Sequence, residues 1–150
     1  AGFTLYAHMS GEVVPLEDVR DEAFSSGALG GGVAIEPSEG KLYAPCDGTV
    51  DMVFDTKHAV NLISDDGCEI LLHIGIDTVK LGGKYFKSHV TDGQKIRRGD
   101  LLVSFDIDGI IRLGYSTTTP MIVCNTEDYH SVQNVASGGV TAGEPLIKLN

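Results

Sequence analysis

No apolar run in this 150-residue sequence approaches the ~20 residues a membrane-spanning helix needs. No basic stretch leading into an apolar one opens the chain, so neither a secretory leader nor direct membrane insertion is expected. Basic residues are few: eleven Lys and Arg stand against twenty-one Asp and Glu, a formal net charge of −10. That balance argues against nucleic acid, which needs a basic patch to displace its counterions. It suits a partner with a basic docking face, drawn in by long-range steering. Cysteine is scarce as well. Cys46, Cys68 and Cys124 are widely spaced and form no CxxC pair, which excludes a disulfide framework or a structural zinc site. They read as small packing residues in a reducing, cytosolic compartment. Catalytic signatures are missing too: there is no HExxH, no HxH and no GxSxG. GGKYFKS places a lysine near glycines but is not the phosphate-cradling GxxxxGK[ST].

Glycine is abundant. Nineteen glycines punctuate short apolar segments: GEVVPL, GGVAI, GKLYA, GTVDMVF, HAVNLI, EILLHIGI, DLLVSF, PMIVC and PLIKL. Turn signals such as SEG, CDG, DDG and TDG fall between them. The length fits one domain over residues 1–150, large enough to bury roughly 68–70% of its unfolded surface. The expected fold is all-β, an antiparallel β-sandwich or barrel. Short helical turns are expected in PLEDVRDEAFSSG, DIDGIIRLGYS and EDYHSVQNV. Two internal echoes point to a duplicated hairpin architecture. AHMSGEVV (7–14) and APCDGTVD (44–51) share Ala-x3-Gly-x-Val, and IRRGDLL (96–102) and VTAGEPL (140–146) share apolar-x2-Gly-acid-x-Leu.

The chemistry lies with the histidines. His73 sits inside EILLHIGIDTV, an apolar run that reads as a buried or half-buried strand, where an imidazole must find partners or carry a function. His58 precedes it by fifteen residues in TKHAV, and SDDG between them signals a hairpin turn at Ser64–Gly67. Pairing HAVNLI with EILLHI brings the two histidines within one or two positions of facing each other. Two such rings can hold a metal, act as nucleophile and hydrogen-bonding partner on a phosphoryl group, or form a structural pair. Carbonyls of the following IGIDT loop are candidates to accept one His73 proton and fix its tautomer. Thr56 points to the same strand face as His58 and can fix that ring. Asp77 has two readings, a charge for a basic partner residue or a turn cap.

Gly67–Val79, GCEILLHIGIDTV, closely resembles the active-site signature of the glucose-type IIA proteins of the bacterial phosphoenolpyruvate-dependent sugar phosphotransferase system. TKHAV resembles that family's second motif, and the likeness continues through GEVVPLEDV, APCDGTV, DGQKIRRGDLL and SGGVTAGEPL. The resemblance implies a barrel-sandwich hybrid and a phosphoryl carrier, a phosphotransferase component with a phosphohistidine intermediate. His73 would take the phosphoryl group on Nε2 from the histidine-containing phosphocarrier protein and pass it to a cysteine on a IIB domain of a sugar permease. His58 would bind the phosphoryl oxygens, Thr56 would hydrogen-bond His58, and the Gly75 carbonyl would orient His73. Phe24, Phe54 and Leu71 would ring the site as an apolar docking surface, with Val79 beside it, and Asp21 and Asp77 would meet a basic partner residue. No cofactor and no metal are implied. The location would be cytoplasmic, either free or tethered to a membrane permease, and regulatory target proteins would be further candidate partners.

The chain departs from the family pattern at Gly30-Gly31-Gly32, where an aspartate often separates two glycines. Ile74 replaces a frequent aromatic and Asn61 a frequent apolar residue, which predicts a less aromatic docking surface. The rival readings are a regulatory IIA-like domain of a sugar transporter and a zinc-dependent peptidase on a related fold. The second lacks a third ligand in the sequence. A lipoyl- or biotinyl-type carrier lacks the hairpin-tip lysine.

Overall fold

A computed structural model describes residues 2–150. Fourteen strands follow one another in this order: β1 (Phe3–Tyr6), β2 (Gly11–Pro15), β3 (Gly31–Pro37), β4 (Lys41–Tyr43), β5 (Gly48–Val53), β6 (Ala59–Ser64), β7 (Glu69–His73), β8 (Phe86–Ser88), β9 (Lys95–Ile96), β10 (Leu101–Phe105), β11 (Thr119–Val123), β12 (Val132–Asn134), β13 (Gly139–Val140) and β14 (Pro145–Leu149). All nine apolar segments of the sequence lie on strands. The main sheet runs β13-β2-β3-β11-β7-β6-β5-β9, and two three-stranded sheets, β1-β14-β12 and β4-β10-β8, accompany it. Every pairing is antiparallel, as an all-β sandwich requires.

Helix is confined to connections. A 3₁₀ turn at Leu16–Asp18 leads to α1 (Glu22–Ser25), and α2 (Ile107–Arg112) ends at Leu113–Gly114. In each helix an aspartate begins the first turn: Asp21 accepts from the Ala23 N–H, and Asp106 from the Gly109 N–H. EDYHSVQNV departs from expectation. Only Thr126–Asp128 forms a 3₁₀ turn, and Val132–Asn134 joins a sheet beside β14, where pairing outweighs weak local propensity.

Both sequence echoes are present in the pairing. Gly11 pairs with Val140 and Gly48 with Ile96, so β2–β13 and β5–β9 are equivalent ladders. Tyr6 faces Pro145 on β14 as Tyr43 faces Leu101 on β10. Tyr6 N–H donates to Pro45 and Tyr43 N–H to His8, so each copy bonds the other. The shared glycine of the first echo has a steric cause. A Cβ on Gly11 would fall 1.9 Å from the Glu36 carbonyl oxygen, and one on Gly48 2.3 Å from that of Ile63.

Strand alternation divides the core. Ile70, Leu72 and Ile74 are fully enclosed with Val60, Leu62 and Met121 in the main core. On the other face of the main sheet a smaller cluster of Leu16, Val19, Phe24, Ala34 and Ile122 packs against the half-buried Leu71 and Ile76. His73 lies on the Leu71 side of its strand. Cys46 and Cys68 are buried as expected, but Cys124 is exposed, because it follows the end of β11 where alternation no longer carries it inward.

Candidate functional site

The hairpin β6–β7 turns at the predicted SDDG and pairs Ala59 with His73, Val60 with Leu72 and Asn61 with Leu71. His58 precedes β6 by one residue, and its carbonyl accepts from the Ile74 N–H. The Ala59 side chain, a single methyl, is wholly buried opposite His73. The two imidazoles meet edge to face, with centroids 4.8 Å apart and planes at 83°.

Each ring has its Nδ1 engaged. His73 Nδ1 lies 2.7 Å from the Gly75 carbonyl oxygen, which requires Nδ1–H and leaves Nε2 with its lone pair. His58 Nδ1 lies 2.6 Å from Thr56 Oγ1. Burial, and secondarily the adjacent His73, push the His58 imidazole down to about 4. Burial also lowers His73, against the opposing pull of the Gly75 carbonyl, Asp21 and Asp77. Both rings are therefore neutral near pH 7. Phe24 stands edge-on to His73 at 5.2 Å, and Phe54 edge-on to His58 at 5.5 Å.

The loop after His73 is built for one geometry. Gly75 has φ +77°, and a Cβ there would lie 2.5 Å from the Ser116 carbonyl oxygen and 2.6 Å from Thr78 Cγ2. The Ile76 N–H donates to that same Ser116 carbonyl, and the buried Thr78 hydroxyl donates to Ile74. Two non-glycine residues take the left-handed conformation beside the histidines: Lys57 (φ 59°) just before His58, and Asp77 (φ 60°) just before Thr78. Such conformations cost about 1–2 kcal/mol each and persist where surrounding contacts enforce them.

The structure gathers most of the sequence-predicted residues here. Thr56, His58, His73 and Gly75 form one hydrogen-bonded unit, and Phe24 and Phe54 flank it. Phe24 is only 5% exposed, packed in the smaller cluster. Val79 is exposed and Leu71 half-buried. Asp21 caps α1 through its side chain, whereas Asp77 stands at the cap position of the 3₁₀ turn Thr78–Leu81 without a side-chain cap bond, its carbonyl accepting from the Lys80 N–H. Ile74 corrects an expectation: it is wholly buried and contributes nothing to a docking surface. Strand alternation turns it to the main core, opposite to His73. Asn61, by contrast, is half-buried in register with Leu71. The Ser116 carbonyl was not predictable from any motif, since only tertiary pairing brings it under Gly75. Among the described residues no three His, Cys, Asp or Glu side chains converge closely enough to hold a metal ion. Among the same residues no helix is long and apolar enough to cross a membrane.

Comparison with known proteins adds a family to this geometry. The family described as the phosphoenolpyruvate-dependent sugar phosphotransferase system, EIIA 1, matches residues 3–129. The chain is 51% identical over 146 residues to a PTS system beta-glucoside-specific EIIBCA component of Dickeya chrysanthemi, covering 97% of this chain and 23% of that protein. It is 45% identical over 144 residues to a PTS system glucose-specific EIIA component of Oceanobacillus iheyensis, covering 96% and 87%. The solved glucose permease IIA from Mycoplasma capricolum superposes with a TM-score of 0.94 at 35% identity, covering 100% of this chain and 97% of the other. The chain spans about a quarter of the length of the beta-glucoside relatives it matches. With the family match over most of its length and a 35%-identical structure superposing throughout, the chain belongs to the EIIA 1 family of the phosphoenolpyruvate-dependent sugar phosphotransferase system.

Proposed function

We propose that this chain is a IIA phosphoryl carrier in which His73 Nε2 is the phosphoryl acceptor. The observation that carries the reading is the edge-to-face pair of neutral imidazoles, with His73 Nδ1–H held by a backbone carbonyl. The donor is the histidine-containing phosphocarrier protein. Its phosphorus–nitrogen bond breaks, its imidazole leaves with the electron pair, and the His73 Nε2 lone pair forms the new bond. No proton need move, because the His73 Nδ1 proton stays on Nδ1, hydrogen-bonded to the Gly75 carbonyl, throughout. The second half-reaction hands the group to a cysteine thiolate of a IIB domain, and His73 Nε2 recovers its lone pair.

His58 is the oxygen-binding partner. With the Thr56 hydroxyl donating to Nδ1, the remaining proton sits on Nε2 and points its donor at a phosphoryl oxygen. Phe24, Phe54 and Leu71 keep water from the labile bond, and Val79, Asp21 and Asp77 present an apolar and acidic rim to a basic partner. The chain serves as one IIA unit on the cytoplasmic side, free or joined to a permease. Its match to the last-named component of EIIBCA proteins supports a IIB acceptor of the same transport system.

The test is phosphoryl uptake from labelled phosphoenolpyruvate in the presence of the phosphocarrier and its kinase. Wild-type protein becomes labelled and His73→Ala does not. Label retained on His73→Ala overturns the assignment.

A further inference from the structure

The carbonyl that holds His73 is itself held by a segment remote in sequence, and that segment is clamped by a carboxylate. Glu36 lies half-buried on β3. Its register partner on β2 is Glu12, a like charge directly opposite, which is an unfavourable place for a carboxylate. The β3–β11 register pairs Ile35 with Thr119, so one step beyond the ladder Glu36 lies beside Thr118. There both carboxylate oxygens are used: Thr117 donates to Oε1 at 2.6 Å and Thr118 to Oε2 at 2.5 Å. These are lengths of charge-assisted hydroxyl–carboxylate bonds, roughly twice as strong as neutral ones. Because a carboxylate only accepts, it fixes both hydroxyl rotors, and Thr118 Oγ1 then receives the Ser116 hydroxyl at 3.1 Å.

Ser116 is where the clamp meets the site. Its hydroxyl accepts from the Thr118 N–H at 3.1 Å, which folds the segment on itself. Its carbonyl accepts from the Ile76 N–H at 3.1 Å and lies against Gly75, close enough to exclude a Cβ. The Gly75 carbonyl in turn receives His73 Nδ1–H at 2.7 Å. The neighbouring Thr119 carbonyl accepts from the buried His8 Nε2 at 2.8 Å, so the segment is anchored on its far side too.

We infer that Glu36 is a positioning residue for His73, acting through Thr117, Thr118 and the Ser116 carbonyl to fix the loop whose Gly75 carbonyl sets the His73 tautomer and ring angle. The inference rests on His73 as the phosphoryl acceptor. Partners that orient a metal-bound histidine are worth at least about 10-fold when removed, and the low end of that scale is the expectation for this clamp.

The experiment pairs two readouts on Glu36→Ala, Glu36→Gln and Thr118→Val. Nitrogen-15 spectra of the imidazoles report the tautomers of His73 and, as internal control, of His58. Phosphoryl uptake from the phosphocarrier reports rate. In Glu36→Ala the His73 signature moves toward a mixed tautomer and uptake slows about 10-fold, while the His58 signature stays. Glu36→Gln, whose amide accepts one hydroxyl and donates to the other, restores most of both. Thr118→Val gives a smaller change of the same kind, and decides by the same criteria should Glu36→Ala fail to fold. An unmoved His73 signature, an unchanged rate, or equal movement of His58 overturns the proposal. Wild-type protein that takes no phosphate overturns the carrier reading instead, and the imidazole spectra still decide the role of Glu36.

Discussion

His58 and His73 meet edge to face although they are not register partners. The ladder pairs His73 with Ala59, and His58 stands one residue before the strand that Ala59 begins. A direct pairing would set two rings side by side on one face. The offset instead lets the His58 ring approach from the strand end, perpendicular to His73, with each Nδ1 bonded away from the other ring.

That geometry separates accepting from passing on. In His58→Gln the acceptor ring, its carbonyl partner and its free Nε2 are untouched. The variant is expected to take label at close to the wild-type extent. Transfer to a IIB domain should slow by about 100-fold, the lower range for loss of a positioned imidazole. Following label from one protein to the other on a gel checks both; equal transfer rates would remove His58 from the mechanism.

Gly75→Ala is expected to be the most damaging single methyl in the loop. It combines a left-handed backbone with a Cβ 2.5 Å from the Ser116 carbonyl oxygen. Strain and overpacking together predict a loss of about 3 kcal/mol in unfolding free energy. Urea denaturation measures it, and a loss below ~1 kcal/mol would show that the loop relaxes freely.

How much of this was legible beforehand follows from the range of each interaction. The hairpin was legible because SDDG, the alternation of EILLH and the two histidines all lie within one local unit. The one-residue offset was not, because it depends on Lys57 taking a left-handed turn that no lysine advertises. Thr56 and Gly75 lie two residues from the rings they bond, and their candidacy was readable at that spacing. Glu36 and Ser116 were invisible, since β3 and the segment before β11 meet the site only through the sheet order β3-β11-β7. Cys124 was misread for a related reason: strand ends decide its exposure, and these are the hardest boundaries to place.

Lys57→Gly tests the strain at that turn. Its N–H closes the turn to Phe54 at 2.7 Å, so the conformation is enforced by the chain around it. Glycine removes the left-handed penalty and returns part of it as unfolded-state entropy. A net stabilisation of about 1 kcal/mol is expected from the shift in urea midpoint, with phosphoryl uptake unchanged. Destabilisation would mean that the lysine side chain makes a contribution larger than the strain.

Stability should depend on pH through buried neutral histidines. Burial lowers His8 to about 4, opposed only in part by its bond to Thr119, and its Nδ1 has no partner among the described residues. His58 is likewise at about 4. The unfolded chain, with histidines near 6.5, binds more protons between these values, so stability is full above pH 6.5 and falls as pH drops through 4. His8 alone accounts for about 3 kcal/mol of that fall. Urea midpoints at pH 7.5 and pH 4.5 measure the decline, and His8→Gln should make it shallower; an identical decline in the variant would sink the attribution.

The two equivalent hairpin units hold one another by exchanged bonds, and this has a kinetic meaning. Ala7 waits for Glu144 and Gly143, and Ala44 for Asp100 and Gly99, before either turn has its backbone partners. Neither copy can complete itself early in folding, because each needs chain that arrives late. Chains dominated by such distant contacts fold more slowly than those built from local helices and turns. All-β chains of this kind fold over roughly milliseconds to seconds. The duplication that looks like redundancy in the sequence therefore ties the two units together through contacts distant along the chain.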